Sequence, residues 1–338
     1  MSQLLENAHA VLLPAFATLE LDRTVLSFLE KGGVSILLGE SRAEYLARAM
    51  CAERRAREAA ADFRKVTRLA RQHARGNLLV AIDQELGGIQ RLHDLVPPLP
   101  SAIEAQDWSA SAIATRSSEV ATVARQLGIN LFLAPIVDVV TGENPWLSNR
   151  TLGQIPEVVR RVSCAFVDGV QAAGVAAAAK HFPGHPVTAL DPAVHEAIVC
   201  GSAQELQLSL DQFRDVIARG VKAVMVGPAL VPAIDAREPS STSRATITLL
   251  REQLGFDGLI ISDDLDAPGI LRGRTIQQVA VASIAAGADL LLLSSESGLD
   301  AVAAALVDAV RKGEITEDRL AEAAARVRAL ADAFGIDN

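Results

Sequence analysis

Eight short runs rich in Val, Ile, Leu and Ala recur along the chain, separated by segments whose apolar residues fall at helical spacing. The runs cover residues 11–16, 34–38, 78–82, 130–134, 175–181, 223–227, 259–262 and 289–293. Each is largely apolar instead of alternating, as expected of parallel strands covered on both faces. Between them the spacing predicts helices at 43–63, 157–172, 202–218, 277–286 and 317–334. The 202–218 segment opens on Ser202 with Glu205 three residues on, the spacing of a capping box, and Gly220 follows at a stop position. Strands that alternate with helices in this way give an α/β protein, a single (β/α)8 TIM-type barrel. No Gly/Ser linker, low-complexity tract or charge block interrupts the 338 residues, so one domain is expected over 1–338.

In such a barrel the catalytic groups sit where strands end, on the βα loops. Polar residues follow four of the runs: Asp83, Gln84 and Glu85; Asp138; Lys180, His181 and His185; and Ser262, Asp263 and Asp264. Asp and Ser also cap helices, and Ser41 and Asp264 are expected to do that. Lys180 and His181 do not fit a helix N-terminus, where cations are disfavoured.

These residues fall into strings. Asp83-Gln84-Glu85-Leu86-Gly87-Gly88-Ile89-Gln90-Arg91, Asn149-Arg150-Thr151-Leu152-Gly153, Lys180-His181-Phe182-Pro183-Gly184-His185 and Ile261-Ser262-Asp263-Asp264-Leu265 stand in an order and spacing that resembles glycoside hydrolase family 3. The similarity is greatest to the bacterial single-domain β-N-acetylglucosaminidases, over about residues 78–293. The resemblance implies a retaining exo-glycosidase acting on a β-linked N-acetylhexosamine or a related sugar, with no cofactor and no metal. It implies Asp263 as nucleophile, and Asp83, Arg150, Lys180 and His181 as the residues that hold the sugar. Arg91 either supports that shell or is a structural salt-bridge residue, and His185 anchors its loop.

The chain departs from the family pattern in the loop after the fifth run. Relatives continue Gly-Asp-Thr-x-x-Asp-Ser-His, where the final His is the acid/base and the Asp two before it polarises that His. Here residues 186–193 read Pro-Val-Thr-Ala-Leu-Asp-Pro-Ala, so Asp191 matches the aspartate and Ala193 stands in place of the histidine. Leu86, Gly88 and Ala267 also replace family residues. His195 lies two positions further on. Either Pro186 and Pro192 redraw the loop and bring it inward as a substitute acid/base, or it is a surface residue. The alternative function is a hydrolysis-impaired homologue that binds a sugar, or a barrel recruited for other chemistry on a sugar-like metabolite.

Composition narrows the classes further. The net charge is −9, and the densest basic stretch, 54–75, is interrupted by acids at helical spacing; a nucleic-acid partner is not expected. Cys51, Cys164 and Cys200 form no disulfide framework and no zinc-ligand spacing, which fits a cytoplasmic location. The sequence shows no signal-peptide pattern and no transmembrane run, so no membrane partner is expected either. The expected partner is a small-molecule carbohydrate.

Overall fold

The computed structural model describes residues 2–336. Eight parallel strands form the barrel: Leu12–Phe16, Ser35–Leu38, Leu79–Ile82, Leu131–Phe132, Ala176–Phe182, Ala223–Val226, Leu259–Ile261 and Leu291–Ser294. The first pairs with the eighth in the register Leu12 to Leu291. The seventh meets the eighth through an Ile261–Leu290 bridge, where Ser262 N donates to Leu290 O at 2.9 Å, and this closes the ring. All eight lie within the expected runs or within one residue of them.

The helices pack outside the strands and bury the apolar stripes that predicted them. Ala203–Ala218 has Ser202 as its cap and the Glu205 capping box. Ser41 caps Arg42–Ala47 in the same way with Glu44. The continuous helix expected over 43–63 is instead three helices, Arg42–Ala47, Ala52–Arg57 and Ala60–His73. Arg48 takes a left-handed conformation (φ 56°), and Glu44 accepts from Cys51 N at 3.0 Å, folding the chain back on itself. A second break comes at Glu58, which is extended. A hairpin of Leu230–Val231 and Asp235–Pro239 was not expected; its second strand is polar and half exposed, so it carries no apolar signal.

The end of the barrel away from the strand C-termini is fastened by Asp289, which is fully buried. One of its oxygens accepts from Ile260 N at 3.0 Å and pairs with Arg251; the other pairs with Arg319 at 2.6 Å and Arg326 at 3.3 Å. The C-terminal helix Glu317–Ala333 supplies the last two arginines and is held to the barrel by them. Removing one member of a buried ionic cluster leaves the others unpaired, which typically costs about 3–5 kcal/mol. Asp289→Ala is therefore expected to lower the stability read by urea unfolding by about that amount, and a loss below about 1 kcal/mol would contradict the fastening role.

Candidate active site

At the strand C-termini a cavity of about 560 Å³ opens, lined by Asp83, Arg150, Lys180, His181, Asp263 and Asp264 among others. Lys180 belongs to the fifth strand, which runs past its neighbours to Phe182 and so carries the ammonium into the barrel mouth. Its Nζ lies 2.6 Å from Asp83 Oδ1 and 2.7 Å from Glu85 Oε1. Glu85 is shared. Its Oε1 accepts from Arg150 Nη2 at 2.7 Å and its Oε2 from Arg150 Nε at 3.1 Å, leaving Arg150 Nη1 without a partner. Burial would raise the Glu85 carboxyl, but Arg150 and Lys180 outweigh it and hold it well below the usual carboxylate range. Burial would lower Lys180, yet Asp83 and Glu85 push it above its ordinary value. Glu85, Arg150 and Lys180 are therefore all charged at neutral pH.

Asp138 sets the other side of the fifth strand. Its Oδ2 accepts from both the backbone N and the ring Nδ1 of His181 at 2.9 Å. Its Oδ1 accepts from His185 N at 2.8 Å and lies 3.3 Å from the His185 ring. The Trp146 ring packs against both imidazoles, with centroids 4.3 and 5.0 Å away, and its Nε1 donates to the Tyr45 hydroxyl at 2.9 Å. Burial pushes His181 down to about 3; Asp138 opposes the shift, while Arg150 and Lys180 add to it. His181 is thus neutral, donates Nδ1–H to Asp138 and keeps Nε2 as an acceptor. His185 does not line the cavity; it anchors the loop that follows the strand.

Asp263 follows the seventh strand. Its backbone N donates to Ser241 Oγ at 3.1 Å, and its Oδ1 accepts from Asp264 N at 2.8 Å. Oδ2 has no hydrogen-bond partner. Burial pushes the acid up to about 6, against the Asp264 amide, Lys180, Arg150 and His185. Asp264 was expected to cap a helix and does not: the next helix, Pro268–Leu271, has Ala267 at its cap. A turn over Leu265 and Asp266 intervenes, and Asp264 instead accepts from Asp266 N at 3.1 Å on the cavity wall, with its acid pushed up to about 7 by burial and by Asp266.

The altered loop brings no imidazole to this cavity. Ala193 lines it with a methyl group. Asp191 is paired with Arg48 at 3.0 Å and accepts from Ala193 N at 2.8 Å, closing a turn. His195 sits in that turn, its N donating to Asp191 O at 2.9 Å, and is exposed outside the cavity lining. Arg91 is also outside the lining. It is fully buried, bonded to Glu58 at 2.7 and 3.0 Å and to the Gly39 carbonyl at 2.6 Å. Four acids on the cavity wall escaped the sequence reading, Glu20, Asp22, Glu40 and Glu296; of these Glu40, with Gly39, follows the second run just as Asp83 follows the third. No group of His, Cys, Asp and Glu among the described residues is arranged to hold a metal ion.

The family described as "Glycosyl hydrolase family 3 N terminal domain" matches residues 24–330. A β-N-acetylglucosaminidase/β-glucosidase of Cellulomonas fimi is 32% identical over 272 residues, 77% of this chain and 48% of that protein. A β-hexosaminidase of Methylococcus capsulatus is 32% identical over 227 residues, 65% of this chain and 67% of that one. Among solved structures, a glycoside hydrolase family 3 β-N-acetylglucosaminidase from Paenibacillus superposes with a TM-score of 0.87 at 31% identity, covering 99% of this chain and 63% of that one. The chain thus spans about half the length of the Cellulomonas relative and less than two thirds of the Paenibacillus structure.

The buried neutral His181 has a consequence for stability. Its folded pKa lies below the unfolded value, so the unfolded chain binds more protons between the two. The contribution of His181 is fully present above about pH 6.5 and is lost as pH falls toward about 3, at up to about 1.4 kcal/mol per pH unit. His181→Gln is expected to flatten the acid limb of a stability-against-pH curve. An unchanged slope would mean that the imidazole is charged in the folded protein.

Proposed function

Because the chain belongs to glycosyl hydrolase family 3, matching its N-terminal domain, we propose that the cavity binds a terminal, β-linked N-acetylhexosamine and that Asp263 attacks its anomeric carbon. The observation that carries the reading is that Asp263, with one carboxyl oxygen unpartnered, lines one cavity with Asp83, Lys180 and Arg150, the last two tied together by Glu85. Lys180 and Arg150 donate and Asp83 and His181 Nε2 accept, a set suited to the hydroxyls of one sugar ring. The names of the relatives, β-hexosaminidase and β-N-acetylglucosaminidase, favour this sugar class. The proposed chemistry is retaining. The Asp263 carboxylate forms a bond to the anomeric carbon as the glycosidic bond breaks, the leaving oxygen takes a proton from solvent, and water then displaces the ester, returning a proton to solvent and freeing the carboxylate. With its acid at about 6, Asp263 is largely ionised above neutral pH, as a nucleophile must be.

A second reading refines the first: hydrolysis of poor leaving groups is impaired. Ala193 has no ionisable side chain, Asp191 is committed to Arg48, and His195 is on the surface. A positioned acid or base contributes about 10²–10⁴-fold. Acid help in forming the glycosyl-enzyme is needed only where the leaving group is poor, whereas base help is needed to activate water in every turnover.

An aryl β-N-acetylglucosaminide is expected to give a burst of phenol followed by a slow steady state. Azide, which needs no deprotonation, is expected to raise the steady rate and to yield the β-glycosyl azide. Asp263→Asn should remove both phases; if it leaves every activity untouched, the glycosidase reading is wrong. A steady rate with no burst and no azide effect would instead place a working base in the cavity, and His195→Ala would then cost about 10²-fold or more if that base were His195. For binding, Lys180→Ala should weaken N-acetylglucosamine by roughly 1.5–3 kcal/mol, the worth of a charged hydrogen bond, with calorimetry as the check.

A further inference from the structure

Glu40 stands at the end of the second strand, between Gly39 and the helix cap Ser41. It lines the cavity and is partly exposed to it. The groups around it come from three elements: Asp83 and Glu85 after the third strand, Arg91 from the loop beyond them, and Lys180 on the fifth strand. The cations among these are already matched. Lys180 pairs with Asp83 and Glu85, and Arg91 pairs with Glu58. Glu40 is therefore an additional carboxyl with no cation of its own. Its Oε2 is buried without a hydrogen-bond partner, and it enters no ion pair among the described residues.

A carboxyl with a buried, unpartnered oxygen and no cation bonded to it favours the neutral acid. Burial first, and then Asp83 and Glu85, push its pKa up to about 8, with Lys180 and Arg91 opposing. Lys180 is pushed further up and Glu85 further down, so neither changes charge near that pH. A protonated carboxyl offers one O–H donor and a carbonyl acceptor, where a carboxylate can only accept.

We propose that Glu40 is a further sugar-binding residue of this cavity, holding a hydroxyl of an uncharged hexosamine derivative as a neutral carboxylic acid. This rests on the sugar-pocket reading given above. The ligand then selects the protonated form, so binding weakens once Glu40 ionises. Apparent affinity falls up to tenfold for each pH unit above about 8.

The test is calorimetric titration of N-acetylglucosamine into the wild type, Glu40→Gln, Glu40→Ala and Lys180→Ala at several pH values from about 6 to about 9.5, with the fold of each variant checked by circular dichroism. The wild type is expected to hold its affinity to about pH 7 and to lose roughly tenfold or more by the alkaline end. Glu40→Ala should bind about five- to tenfold more weakly at neutral pH, one lost hydrogen bond. Glu40→Gln, which keeps a neutral donor and acceptor, should recover most of that loss and show no fall in affinity above about pH 8, where Asp263 and Asp264 are already ionised. A pH-independent wild type, or a Glu40→Ala variant that binds as the wild type does, overturns the proposal while a loss in Lys180→Ala leaves the pocket reading standing. N-acetylglucosamine that binds wild type and Lys180→Ala alike, or not at all, overturns the pocket reading itself. Tighter binding of glucosamine than of N-acetylglucosamine, abolished by Glu40→Gln, also overturns it, since Glu40 would then be an anion that takes an ammonium group.

Discussion

The sharing of Glu85 between Lys180 and Arg150 is the constraint from which the rest of the cavity follows. A buried cation costs free energy unless it is paired with good geometry, and here one carboxylate satisfies two cations at 2.7 Å each. The contact ties the end of the third strand, the long loop after the fourth and the body of the fifth strand to a single point. Its demand on the sequence is visible at residue 88. A Cβ there would come within 1.7 Å of Glu85 Oε2, so the glycine that stands in place of the family residue is what lets the carboxylate lie where it does. Arg150 is then steered by Trp146, whose ring it covers at 5.4 Å. Trp146 in turn fixes the rings of His181 and His185 over Asp138, so the hydrogen-bonding face of the fifth strand depends on the same pair.

Charge is divided in the cavity by the same arithmetic of partners. Lys180, Arg150, Asp83 and Glu85 satisfy one another, and the acids outside that set are left to burial. Asp263, Asp264 and Glu40 are pushed to about 6, 7 and 8. The order follows their company. Asp263 is opposed by Lys180, Arg150 and an amide donor. Asp264 feels two further carboxyls, Asp266 and Asp263. Glu40 sits against Asp83 and Glu85. One cavity therefore holds acids in three different states of readiness near neutral pH, a result of which cations are already engaged.

The barrel was legible because parallel strands buried on both faces leave uninterrupted apolar runs, and because loops at one end of a barrel must share a mouth. That reasoning placed Asp83, Lys180, His181 and Asp263 together from residue type and position, whereas Arg150 came only from the resemblance to the family. It failed where the signal is not periodic. Glu40 stands in the turn before the Ser41 cap, and nothing local to it in the sequence reveals that its neighbours' cations are taken by Glu85 and Glu58. Arg48 carries no mark in the sequence of its left-handed turn, so the 43–63 segment read as one helix. Asp264 looked like a cap because the turn that follows it leaves no apolar pattern.

Whether His195 could enter the cavity is decided by what holds its loop. Asp191 bonds Arg48 at 3.0 Å, and both side chains are only 14% exposed, so the pair is shielded from water. The same carboxylate accepts from Ala193 N, the Asp191 carbonyl accepts from His195 N, and Arg42 Nη2 reaches the Ala193 carbonyl at 2.5 Å. Turning His195 inward would break the charged bonds, each worth roughly 1.5–3 kcal/mol. Pro192 adds to this, since its fixed φ removes one of the torsions through which the turn could rearrange. The two arginines that fasten the loop come from the segment after the second strand, the same one that carries Glu40. The Asp191 carboxylate is thus a structural acceptor, held by an arginine of that segment and by the Ala193 amide, so the two loops fix each other in place.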